Sequence, residues 1–176
     1  MGTTTSREFE PDCLITESNS EPTGSPVTGI FLTMRNLAAF TAIVALGNLG
    51  VAVWHLRLAG ELNPALSFAQ AVQIGAGTAL LTLGGVILLW AQHKLAGSLV
   101  LVVVFAIGLV IGSLEHFFIP GPNNVFDAGV GSIAFLFRLN VALLVALQIA
   151  GLWSAACLIR SAWRSAARVS AKGNGR

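Results

Sequence analysis

Six side chains in this sequence are of types that do chemistry inside hydrocarbon: His55, Gln70, Gln73, Glu115, His116 and Asn140. Each lies in or at the edge of a long apolar run. An ionisable residue there costs about 2.5–3.5 kcal/mol on insertion scales, so it is paired, wet or functional. Four chemistries suit such a set. A quinone or other amphipathic ligand would need only a His, Glu or Gln hydrogen bond. His55 and His116, on different helices at matched depth, have the types of an axial pair for a b-type haem. Glu115 would carry a proton in a coupled transporter. The plainest alternative is structural: Glu115 pairs with Arg138 or His55 and fastens helices together, while Gln70 and Gln73 bond across helices. Arg138 has a further option, snorkelling along the lipid face to the interface.

The elements that must position these residues are apolar helices. Of the 176 residues, 55% are hydrophobic and only 10% charged, against about 25% charged in a soluble domain. Four runs are long enough to span about 30 Å of hydrocarbon: 36–58, 64–90, 95–119 and 133–159. Asn63-Pro64 opens the second as N-cap and first helical position, and Pro120-Gly121-Pro122 stops the third. The expected fold is an all-α membrane protein, a four-helix up-down bundle over 35–160. A polar, acidic tail over 1–34 precedes it and a basic tail over 161–176 follows.

The first tail is rich in Ser, Thr, Glu, Pro and Gly without hydrophobic periodicity, so it reads as disordered. Met34 opens "MRNLAAF", the basic-then-apolar start of a membrane helix, and offers an alternative beginning for the chain. "MGTTTS" has the form of a myristoylation signal, a short pattern common by chance.

Charge sets an expected orientation. Residues 1–34 carry Arg7 against Glu8, Glu10, Asp12, Glu17 and Glu21, a net of −4, and Arg160, Arg164, Arg168, Lys172 and Arg176 give the tail +5. With four spans, Arg35, Lys94 and that tail share one side, which the positive-inside rule makes the cytoplasm. Both termini are then cytoplasmic, in a cell (inner) membrane. The turn "IPGPNN" and Asp127 would rim a polar pocket on the outer face.

Small and polar residues at helical spacing give the expected seams. They are Thr41, Asn48 and His55 on the first helix, and Gln70, Gln73, Gly77 and Gly84 on the second. The third offers Gly97, Gly108, Gly112 and Glu115, and the fourth Asn140, Gly151 and Ser154. On this phasing Glu115 faces the bundle interior. Cys13 and Cys157 show no metal spacing, and a cytoplasmic setting disfavours a disulfide.

No phosphate loop, nucleophile elbow, metal cluster or soluble catalytic domain is present, and nucleic-acid binding has no support. The expected function is therefore non-catalytic: an accessory or small-ligand-binding bundle whose partners are the lipid bilayer, other membrane subunits or further copies of itself. The alternatives are a quinone- or haem-binding redox protein and a proton-coupled transporter using Glu115. The sequence names no cofactor.

Overall fold

A computed structural model describes residues 34–62, 68–121 and 123–173. The polar N-terminal segment lies outside that range, as do the side chains of Gln70 and Gln73. The described residues form helices and connecting turns, with no strand among them. The helices are α1 (Met34–Leu62), α2 (Phe68–Trp90), α3 (Lys94–Ser113) and α4 (Ser132–Gly173). A π turn, Leu114–Phe118, continues α3.

Among the described residues three segments are long and apolar enough to cross a membrane: Met34–Leu62, Lys94–Phe118 and Ser132–Ser165. Gly75–Trp90 of α2 is a shorter apolar helix. Where the hydropathy pattern ends the fourth helix near 159, α4 runs unbroken to Gly173. Ala, Ser and Arg dominate those last turns, and nothing in "SAWRSAARVSAKG" breaks a helix before its final glycine.

Neighbouring helices run antiparallel. Gly108 meets Gln148 while Phe105 meets Gly151, so residue numbers fall along α3 as they rise along α4. Likewise Met34 of α1 pairs with Ser161 of α4, and His55 and Val51 with Asn140. The helices close a ring, with α4 between α1 and α3, and α2 between α3 and α1.

Two apolar clusters hold the ring. One joins Leu37, Ala45, Val86, Leu89, Leu101, Phe105 and Leu158 from all four helices. The other, at the end that carries the α3–α4 loop, joins Leu58, Ala59, Val125, Phe137 and Val141. In lipid such packing rests on close contact rather than on water exclusion. Glycine supplies that contact at three places. A Cβ on Gly97 would stand 2.8 Å from the Gly85 carbonyl oxygen and from the Leu89 nitrogen. One on Gly151 would stand 2.3 Å from the Phe105 ring, and one on Gly108 2.8 Å from Gln148 Nε2.

Other expected seams are displaced. A Cβ on Gly77 or Gly84 would meet nothing within 4 Å among the described residues. These glycines face away from the bundle, which packs instead on Thr82, Gly85, Val86 and Leu89. Spacing alone did not say which of two adjacent glycines faces inward. Gly112 nears only His116 of its own helix, at 3.9 Å. Cys157 is buried on α4, and Cys13, on which the expectation about a disulfide also turns, lies outside the described residues.

Candidate functional site

The Thr41, Asn48 and His55 seam of α1 is buried along its whole length. Its last member reaches the loop end of the bundle, where His55 Nδ1 lies 2.9 Å from Asn140 Oδ1. Asn140 is fully buried, and its Nδ2 donates to the Val51 carbonyl at 3.2 Å. That carbonyl only accepts, which fixes the amide orientation and makes Oδ1 the acceptor from His55. His55 therefore carries its hydrogen on Nδ1.

His116 arrives from the other side on the π turn. It is buried, and its Nδ1 donates to the Asn123 carbonyl at 2.8 Å. Its own carbonyl accepts from Val125 N at 3.0 Å. The two imidazoles touch, with ring centroids 4.7 Å apart and planes at 65°. Phe137, fully buried, packs on both at 5.2 and 6.0 Å. These are edge and tilted contacts of the kind aromatic rings favour.

Glu115 does not join them. It is exposed, and the interior position belongs to His116. The reason is the π turn, closed by Ile119 N donating to the Leu114 carbonyl five residues back at 2.9 Å. Each residue of a π turn advances less than the 100° of an α-helix. Across Leu114–Phe118 the chain lags behind the phase of Gly108, carrying Glu115 off the inward face and His116 onto it.

Arg138 is exposed on α4 and pairs with neither Glu115 nor His55. Its side chain leans toward the N-terminus of its helix, as helical side chains do, and so reaches the loop. Nε donates to the Val125 carbonyl at 2.9 Å and Nη2 to the Gly129 carbonyl at 2.8 Å. The loop is also tied from within. Asn124 Nδ2 donates to the Ile119 carbonyl, Asn124 Oδ1 accepts from Phe126 N, and Asp127 Oδ2 accepts from Gly121 N. Asn124 and Val125 are thereby buried in the end of the bundle.

The structure thus brings together His55, His116 and Asn140 and leaves Glu115 outside. Phe137, Asn123 and Val125 belong to the cluster although their types drew no notice. Phe137 was legible in principle, because Phe137, Asn140, Val141 and Leu144 recur at one helical face.

Chemically, the cluster is satisfied apart from the two Nε2 lone pairs and the buried Asn123 Oδ1, which has no partner among the described residues. Rings in contact leave no room for a haem between them as they stand. No group of three or more His, Cys, Asp or Glu gathers to hold a metal among the described residues. Two other buried acceptors lack partners there: Asn48 Oδ1 on α1 and Ser98 Oγ on α3. No family model, curated protein or solved structure matches the chain.

Proposed function

We propose that the chain is a four-span, multi-pass protein of the cell membrane with both termini cytoplasmic, serving as a non-catalytic accessory subunit. The carrying observation is that the loop-end polar groups, apart from the Nε2 atoms and Asn123 Oδ1, satisfy one another. His55 bonds Asn140, Asn140 bonds the Val51 carbonyl, and His116 bonds the Asn123 carbonyl. A site built to turn over a substrate keeps donors aimed at an open volume. This cluster instead knits α1, α4 and the loop.

Three features support the rest of the reading. At 23 residues α2 is about 35 Å long, enough for a fourth span. Arg35, Lys94 and the cationic end of α4 share one end of the bundle, which the positive-inside rule assigns to the cytoplasm. Gly77 and Gly84, seven residues apart on the outward face of α2, offer a neighbouring membrane helix a close approach.

A second reading, a small-ligand or quinone site, has one observation in its favour: the Nε2 atoms of His55 and His116 bond nothing among the described residues. Purification in mild detergent, followed by an absorption spectrum and intact-complex mass spectrometry, separates the two. The accessory reading expects a colourless sample with a second membrane chain in fixed stoichiometry. It also expects Gly84→Leu to release that chain without lowering the melting temperature. A bound chromophore or quinone lost in His116→Ala would replace it with the second reading. A reporter fused after Arg176 that works only outside the cytoplasm would overturn the orientation.

A further inference from the structure

Arg138 has a feature that the loop does not use up. A guanidinium has five N–H donors in a planar fork, and the loop carbonyls take one on Nε and one on Nη2. Three N–H groups remain, held in place by the other two. Among the described residues no acid is seen to pair with this charge; Glu61 pairs with Arg57. Asp127, the nearest acid in sequence, serves Gly121 N.

Beside this fixed cation lies an open depression of about 210 Å³, lined by Phe117, Val125, Phe126, Arg138, Val141 and Ala142. Its walls are hydrocarbon and aromatic, and Arg138 is one of the residues that line it. Phe117 and Phe126 stand edge to face, 6.5 Å apart, and both are exposed. The depression lies where the third span stops at Phe118 and the loop begins. That is the level at which acyl chains give way to headgroups.

An apolar groove ending at a positive fork at headgroup depth has the layout of a phospholipid: chain below, phosphate above. We propose that this groove is a binding site for one anionic phospholipid, its phosphate on the free N–H groups of Arg138 and an acyl chain against Phe117, Val141 and Ala142. Guanidinium binds phosphate through paired hydrogen bonds, which a diffuse surface charge does not. The site recruits lipid from whichever leaflet the loop end occupies, and it stands whether or not the accessory reading holds.

The test uses the full chain in mild detergent. Dioleoyl phosphatidylglycerol and dioleoyl phosphatidylcholine, which differ only in headgroup, are added in turn, and retained lipid is read by native mass spectrometry. The wild type should hold one phosphatidylglycerol in preference to phosphatidylcholine. Arg138→Gln should lower that retention about tenfold, the worth of a charge-assisted hydrogen bond. Arg57→Gln, whose arginine already pairs with Glu61, should leave it unchanged. Because Arg138→Gln also loosens the loop, Ala142→Trp fills the groove with the clamp intact, and should lose the lipid at an unchanged melting temperature. Equal retention of the two lipids overturns the site. So does phosphatidylglycerol held by a folded Ala142→Trp protein, or a loss as large in Arg57→Gln as in Arg138→Gln. A fatty acid or a partner helix found in the groove instead overturns it as well.

Discussion

Asn140 does at one position what the rest of the cluster shares out: it accepts from His55 on α1 and donates to the backbone of the same helix. Replacing it by leucine leaves a buried imidazole N–H without an acceptor, which costs about 1–3 kcal/mol. Asn140→Leu should therefore lower thermal stability in detergent by that amount, and a wild-type melting temperature would show the bond to be dispensable. Glu115→Gln makes the contrasting case. An exposed side chain away from any network changes stability by less than about 0.5 kcal/mol, so this variant should melt like the wild type. A large loss would mean that Glu115 faces inward, as α-helical phasing from Gly108 expects. Of the six chemistry-bearing residues, the buried status of His55 and Asn140 was legible from depth and helical face. The exchange of Glu115 for His116 at the interior position was not, because nothing in "SLEHFF" announces a five-residue turn.

That turn is the main device at the scale of elements. It inserts one extra residue into the helical count, and the residues after Ser113 take their facing from it. Deleting Leu114 should let the turn close as α-helix and, by bringing His116 to seven residues from Gly108, keep it on the inward face beside His55. The expected readout is unchanged hydrogen-exchange protection at the Val125 amide, which is bonded to the His116 carbonyl; faster exchange would remove the turn as the cause of the facing. The glycines give a second comparison. Gly97→Ala forces backbone apart between α2 and α3 and should cost about 1–3 kcal/mol as overpacking does. Gly84→Ala, in open space, should be neutral or gain up to about 1 kcal/mol of helix propensity. Parallel melting curves of the two variants check both.

The α2–α3 connection adds a third. Gln92 has φ 67°, with His93 N donating to the Leu88 carbonyl in the pattern of a left-handed helix cap. Glycine adopts that conformation without the penalty of roughly 1–2 kcal/mol that a side chain meets. Gln92→Gly should raise the melting temperature, and a fall would place the side chain in a contact of its own. Helix existence and most helix limits were readable from hydropathy. The choice between Gly84 and Gly85, and the phase after Ser113, depended on how neighbouring helices settle against each other, which periodicity in a single chain does not encode.

At the scale of the molecule, α4 differs from its neighbours in reach. Its 42 residues make a rod of about 63 Å, roughly twice the hydrocarbon thickness. Residues 160, 164, 168 and 172, all basic, recur every fourth position along its far half, so they fall toward one side of it. A helix that leaves the bundle without a break cannot flop as a tether does. Bending it needs a proline, a glycine pair or a π bulge, and none interrupts it before Gly173. The cationic end is therefore held at a set height and azimuth relative to the loop-end clamp. A probe attached at position 165 and another at 130 should report one narrow distance distribution, as the two ends of a caliper would, rather than the broad one of a flexible leash.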